Sequence, residues 1–199
     1  MKNISKRLIG LTGGIATGKT TVSKYLSQRY RLSVLDADVY AREAVALNSP
    51  ILQNIFARYG ESVILPDRSL NRPGLGEIVF NNPIEKQWLE SQIHPYVRDR
   101  FQQELESIND GTILIDIPRI FEDNLTDTVT EIWVVSCDRS IQISRLQQRN
   151  GLTFDQALAR INSQLPLEDK ISAADVVLNN SQNFNSLFSQ VDAAIKLSI

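Results

Sequence analysis

Gly13-Gly14-Ile15-Ala16-Thr17-Gly18-Lys19-Thr20 fits the phosphate-binding pattern G-x-x-x-x-G-K-[ST] at every fixed position. Its flanks give the pattern a structural setting. Arg7-Leu8-Ile9-Gly10-Leu11 is short and apolar enough for a buried strand, and Val22, Tyr25 and Leu26 recur at helical spacing. Strand, glycine-rich loop and helix follow in the order that turns backbone N–H groups inward around a polyphosphate, with the positive end of the helix aimed at the same anion. In that frame Lys19 reaches the β and γ phosphates of a nucleotide, and the Thr20 hydroxyl holds Mg²⁺. Gly14, Ile15, Ala16, Thr17, Gly18, Lys19, Thr20 and Thr21 form the expected nucleotide-binding set.

The 199 residues allow one α/β domain with a helical insertion. A formal charge of -2 and a pI near 5.5 give no electrostatic footprint for a nucleic acid, and no block of like charge suggests a membrane surface. Cys137, the only cysteine, has no thiol partner, so a small hydrophobe at a strand end is the expected role. Met1 to Arg7 runs into the first strand without the apolar stretch of a signal peptide, and no segment approaches 18 uninterrupted apolar residues. The expectation is a cytoplasmic monomer.

Leu32-Ser33-Val34-Leu35 reads as a second strand ending at Asp36-Ala37-Asp38. Asp38 suits the N-cap of the next helix, in which Val39, Ala41, Val45 and Ala46 are the apolar positions. A carboxylate at the carboxyl end of a parallel strand also faces the reaction. Position favours that use for Asp38 and leaves Asp36 open. From 48 to 110 the pattern is helical, with starts at Ser49-Pro50, Asn71-Arg72-Pro73 and Asn82-Pro83, a stop at Gly60 and a turn at Pro66-Asp67-Arg68-Ser69. This insertion would enclose a second substrate, with Arg72, His94 and Arg98 as its notable polar residues. His94 precedes Pro95, so a kink or a local hydrogen bond competes with ligand contact there.

Thr112-Ile113-Leu114-Ile115-Asp116-Ile117 is the clearest buried strand, and Asp116 is the candidate acid on the metal side. Glu131 to Ser136 forms a fourth strand, with Asp138 capping a helix that carries Arg145 and Arg149 at i and i+4 on one face. Gly151 and Pro166 break residues 139–171 into a helical lid whose arginines suit γ-phosphoryl transfer, with Arg139 a weaker third. Spacing does not separate Arg145 from Arg149. Val176-Val177-Leu178 is the fifth strand, and a last helix carries Phe184, Leu187, Phe188, Val191 and Ile195 as an apolar stripe. The fold expected is a three-layer phosphate-loop architecture: a five-stranded parallel sheet with helices on both faces, a core of about 1–47, 111–138 and 172–199, an insertion and a lid. A regulatory GTP switch would need a guanine-reading N-K-x-D, which is absent from the sequence.

Beyond the loop, Val34-Leu35-Asp36-Ala37-Asp38, Ala41-Arg42-Glu43, Leu75-Gly76-Glu77-Ile78-Val79-Phe80, Ile93-His94-Pro95, Asp116-Ile117-Pro118 with Phe121-Glu122, and Ala174-Asp175-Val176-Val177 follow in order along nearly the whole chain. Together they resemble the successive motifs of the dephospho-CoA kinase family. That resemblance implies transfer of the ATP γ-phosphate to the ribose 3′-hydroxyl of dephospho-coenzyme A, the last step of coenzyme A biosynthesis. It implies Asp38 as catalytic base, Lys19 and Thr20 as nucleotide and Mg²⁺ residues, and Arg145 or Arg149 as the lid arginine. Asp36, Asp38, Arg72, His94, Arg98 and Pro118 then fall around the acceptor, and Asn179 near the adenine. A kinase of another small alcohol, such as a nucleoside monophosphate, is the alternative. Thr17 stands where serine is usual, Asn179-Asn180 replaces Asp-Asn, and Arg119 replaces an apolar residue, within ion-pair reach of Glu122 or Asp123.

Overall fold

The computed structural model describes residues 6–80, 82–109 and 111–197, so the N-terminal reading falls largely outside them. Two compact units are present, one of residues up to Leu35 and from Asn109 on, the other Asp36–Ile108.

The first unit is built on β1 (Arg7–Gly13), β2 (Ser33–Asp36), β3 (Thr112–Asp116), β4 (Glu131–Ser136) and β5 (Val176–Asn179). They form one parallel sheet of order β2-β3-β1-β4-β5. β1, β3 and β4 become strands buried on both faces, as their lack of alternation requires, while Val177 of the edge strand β5 is exposed. Ile9, Leu11, Leu114, Trp133 and Leu178 meet α1 (Lys19–Tyr30) and α9 (Phe184–Lys196) on one face. On the other face Gly10 leaves room for Ile120 and Val129, whose side-chain atoms lie about 3 Å from where a Cβ would stand. The α9 stripe differs from expectation at one point: Leu187, Val191, Ala194 and Ile195 are buried, while Phe184 is exposed and stacks on Phe188.

Three helices follow β4: α6 (Arg139–Asn150), α7 (Phe154–Asn162) and α8 (Leu167–Ser172). Gly151, at φ 65°, ends α6, and a Thr153–Gln156 capping box starts α7. Asp138 stands at the N-cap of α6 without capping it; its carboxylate accepts from the Ser181 hydroxyl instead. Lys170 of α8 is fully buried and ion-paired at 2.7 Å with Glu122, in the segment after β3. Glu122 also accepts the Leu165 N–H at 3.4 Å. Burial alone would push the Glu122 carboxyl up, but the hydrogen bonds from Lys170 and the backbone hold it below its usual value.

The second unit holds α2 (Ala37–Ala44), α3 (Pro50–Tyr59), α4 (Arg72–Phe80) and α5 (Pro83–Ser107). It begins at Asp36 and so takes in α2, which the sequence suggests belongs with the core; Tyr40 of α2 lies edge-on to Phe101 of α5 at 5.1 Å. The cap also differs. Asp36, not Asp38, is the N-cap of α2, accepting the N–H groups of Asp38 and Val39. Val39 is exposed, and Tyr40, Ala44 and Val45 supply the buried positions. Pro95 lies inside α5, which continues through it; packing of Val97 and Phe101 on the far side sustains the helix. Arg58 chelates Glu85 and stacks over Trp88, and Tyr59 donates to the same carboxylate. Those bonds hold Glu85 down at about 2, while burial first and then Glu85 push Tyr59 up to about 12. Among the described residues no helix is long and apolar enough to cross a membrane.

Candidate active site

Each glycine of the phosphate loop answers a particular contact. A Cβ on Gly13 would stand 2.5 Å from the Val135 carbonyl of β4, and one on Gly14 2.8 Å from the Gln142 amide of α6. Gly18 has φ 105°, and a Cβ there would meet the Asn180 amide at 2.2 Å. Ala16 adopts φ 62°, a left-handed conformation that L residues enter at a cost.

The loop carbonyls are held from behind. Gln142 donates to Ile15 O at 2.8 Å, Arg145 to Ala16 O and Thr17 O at 3.2 Å each, and Asn180 to Thr17 O at 2.7 Å. The Thr17 hydroxyl donates back to Gly14 O at 2.9 Å and the Thr17 N–H to the same carbonyl at 3.3 Å, so this buried residue braces the loop from within. The carbonyls of Ile15, Ala16 and Thr17 are thus held by α6 and by Asn180 just beyond β5, while the Ile15 and Thr17 N–H groups bond Gln164 Oε1 and Gly14 O. The loop ends at the start of α1, whose first turn has no acidic residue and whose N-cap makes no side-chain hydrogen bond. Its positive end is therefore open to an anion.

Lys19, at the first position of α1, is ion-paired with Asp116 at the end of β3. The register explains the meeting: Leu11 of β1 pairs with Asp116, so the loop that leaves β1 begins beside this carboxylate. Asp116 is 4% exposed, a burial that a carboxylate tolerates when a cation meets it. Thr20 is exposed one residue beyond Lys19, and Thr21 continues the first helical turn. Thr12 donates to the Pro118 carbonyl at 3.0 Å, tying the Asp-Ile-Pro segment to β1.

The two candidate arginines separate on α6. Arg145 turns inward onto the loop carbonyls and onto Asn180 O at 3.1 Å; Arg149 is exposed and bonds Asn150. Arg139 bonds Asn162, joining α6 to α7. Cys137 is buried at the end of β4, where burial pushes its thiol up. Asn179 is exposed, with its backbone braced by Gln190 and its side chain accepting the Ser181 N–H. Its neighbour Asn180, with Gln142 and Gln164, makes the loop contacts that the sequence did not disclose. No spacing rule flags a lone amide 163 residues from the carbonyl it holds. Arg119 bonds Asp123 at 3.2 Å, while Glu122 goes to Lys170.

In the second unit Asp38 is exposed in the first turn of α2. Arg72 begins α4 and lines, with Leu70, Leu75 and Val79, a mostly apolar cavity of about 220 Å³. On α5, His94 is half-buried and Arg98 exposed.

A family model described as dephospho-CoA kinase matches residues 7–186. The chain belongs to the dephospho-CoA kinase family. A dephospho-CoA kinase of Trichormus variabilis is 55% identical to it over 98% of this chain and all of that one. Among solved structures, TT1252 from Thermus thermophilus is 28% identical with a TM-score of 0.85, covering 98% of each chain. A dephospho-CoA kinase from Campylobacter jejuni is 27% identical with a TM-score of 0.70, covering 96% of each. This kinase is a phosphotransferase with an alcohol acceptor, and its family implies ATP as co-substrate and dephospho-CoA as substrate. A nucleoside monophosphate kinase is not favoured, since the family match runs through the second unit as well as the phosphate loop.

Proposed function

We propose that the chain transfers the γ-phosphoryl group of ATP to the ribose 3′-hydroxyl of dephospho-coenzyme A, giving coenzyme A and ADP. The observation that carries this reading is the Lys19–Asp116 pair beside a loop whose carbonyls are held away from the ligand side. Nucleotide phosphates lie along the segment Ile15 to Thr21, and Lys19 turns from Asp116 to the β and γ phosphates. The Thr20 hydroxyl and the Asp116 carboxylate are hard oxygen donors that would hold Mg²⁺ there. When bound, that ion neutralises charge developing on the transferred group.

Asp38 accepts the proton of the attacking hydroxyl. Its exposure and its freedom from the capping duty, which Asp36 performs, suit it to that part. Arg72, His94, Arg98 and Pro118 are the acceptor-binding residues of this reading, and Asp36 serves it by fixing the turn that carries Asp38. Of the lid arginines, Arg149 swings to the transferred phosphoryl, since the guanidinium of Arg145 is engaged with three carbonyls. Asn179 lies toward the adenine. With a net charge of -2 a polynucleotide is no part of this reading, and a cytoplasmic monomer is.

The test is ADP formation by the purified protein with ATP, Mg²⁺ and 3′-dephospho-coenzyme A, the product being identified by mass and adenosine, AMP and gluconate serving as rival acceptors. Coenzyme A formed from the first acceptor alone is the expected result. Transfer to a rival, with none to dephospho-coenzyme A, would overturn the assignment of acceptor.

A further inference from the structure

The buried pair of Lys170 and Glu122 stands outside the phosphate loop, in α8 and in the segment after β3. As a device for stability it is a poor choice. Both charges leave water, Glu122 Oε2 is buried with no hydrogen-bond partner among the described residues, and an apolar pair of similar volume is often as stable or more so. What the pair does specify is position. Glu122 Oε1 receives the Lys170 ammonium at 2.7 Å and the Leu165 N–H at 3.4 Å, which ties the turn between α7 and α8 to the chain leaving β3. The stretch 116–122 thus carries the carboxylate that meets Lys19 at one end and the carboxylate that holds this turn at the other.

The residue before Leu165 shows what is being positioned. Gln164 is half-buried, and its Oε1 accepts the Ile15 N–H at 2.8 Å, while Gln142 of α6 donates to the carbonyl of the same residue at 2.8 Å. Ala16, next in the chain, sits at φ 62°, a conformation that an L residue keeps where its surroundings over-determine it. Gln164 is the share of that support that comes from the α7–α8 turn. Its amide meets Ile15 when its own backbone is fixed, and the anchor of that backbone is one residue away, on Glu122. We propose that Glu122 and Lys170 are positioning residues for the nucleotide, acting through Gln164 to keep the phosphate loop in the shape that receives ATP. This deepens the ATP reading of the loop and rests on it.

Three variants of the full chain test this: Gln164→Ala, the apolar exchange of Glu122→Met with Lys170→Met, and the two combined. Gln164→Ala should raise KM for ATP about 2- to 10-fold, the worth of one neutral hydrogen bond, at an unchanged KM for dephospho-coenzyme A. The apolar exchange should do the same and keep its thermal midpoint, since two methionines fill the volume and the N–H of exposed Leu165 turns to water. Because the pair acts through Gln164, the combined variant should be no worse than either alone. In nucleotide-free protein the Ile15 amide should exchange with solvent faster in all three than in the unsubstituted chain. Unchanged KM for ATP or unchanged Ile15 exchange in Gln164→Ala, additive losses in the combined variant, or an equal rise in KM for both substrates overturns the positioning role. An apolar exchange that no longer unfolds cooperatively makes the pair an element of the fold and overturns that role as well. Absence of turnover in the unsubstituted chain would speak against the proposed reaction, and Ile15 exchange would still decide the brace.

Discussion

Gly18, Asp36 and Asp38 show how much rests on single positions. A methyl group on Gly18 would meet the amide of Asn180 at 2.2 Å while φ stays at 105°. Gly18→Ala therefore has to expel Asn180 from beneath Thr17 or flip the peptide, and ADP affinity measured by calorimetry should fall about 10-fold or more, an effect of ~1.4 kcal/mol. The two aspartates should part company under substitution. Asp36→Ala removes the cap of α2 and should cost about 1 kcal/mol of stability in urea. Asp38→Asn touches an exposed side chain, so its thermal midpoint should hold while kcat falls by roughly 10²- to 10⁴-fold, the range for a lost general base. Unchanged turnover in Asp38→Asn would remove that residue from the chemistry. In sequence both are carboxylates beside a strand end, and the choice of cap turns on where the helix begins. That start is fixed by the chain leaving β2 at Asp36, a feature no local preference specifies.

At the scale of elements, α6 and α8 carry what the sequence left open. Arg145 and Arg149 share a face by spacing, but α6 lies against the loop so that the first turns in and the second turns out to water. Which residue of such a pair faces a neighbour depends on helix docking, which periodicity fixes only to within a turn. The α8 anchor is a buried pair, Lys170 fully covered and Glu122 with a side chain 13% exposed. Glu122→Gln leaves the Lys170 charge unpaired and should cost about 3 kcal/mol, the low end for breaking such a pair. The pH dependence follows from the depressed Glu122 carboxyl. Its stabilisation is complete above the ordinary value of 4.5 and disappears as pH falls through the lower folded-state value. The gap in thermal midpoint between the unsubstituted chain and Glu122→Gln should therefore stay constant from neutral pH down to about 4.5 and close below it. A gap that widens on acidification would contradict an ionised, Lys170-bound Glu122.

For the molecule as a whole, the two tryptophans report on different cores. Trp133 is fully buried in the sheet of the first unit, and Trp88 packs in the second with Val45, Leu52 and Leu75. The second unit is the smaller, and a smaller unit is expected to bury a lesser share of its chain, so its cooperative transition should come at lower urea. Fluorescence of Trp133→Phe, which follows Trp88, should then change before that of Trp88→Phe, which follows Trp133. ADP at 100 times its Kd should move the Trp133 transition by about 2.7 kcal/mol, as linkage requires for a ligand of the first unit. Coincident midpoints in both variants would mean that the units unfold together. By itself the sequence determined the strand–loop–helix core, its five parallel strands and the family. Those depend on local terms: apolar run length, glycine and proline placement, and a phosphate pattern whose residues are contiguous. Only the tertiary structure decided that Lys19 meets Asp116, that Asn180 and Gln142 hold the loop, that Gln164 takes the Ile15 N–H and that Lys170 is buried on Glu122. Each of those partners lies 48 to 163 residues from its mate, and hydrogen-bond and ion-pair energies over such separations are set by sheet order and helix docking.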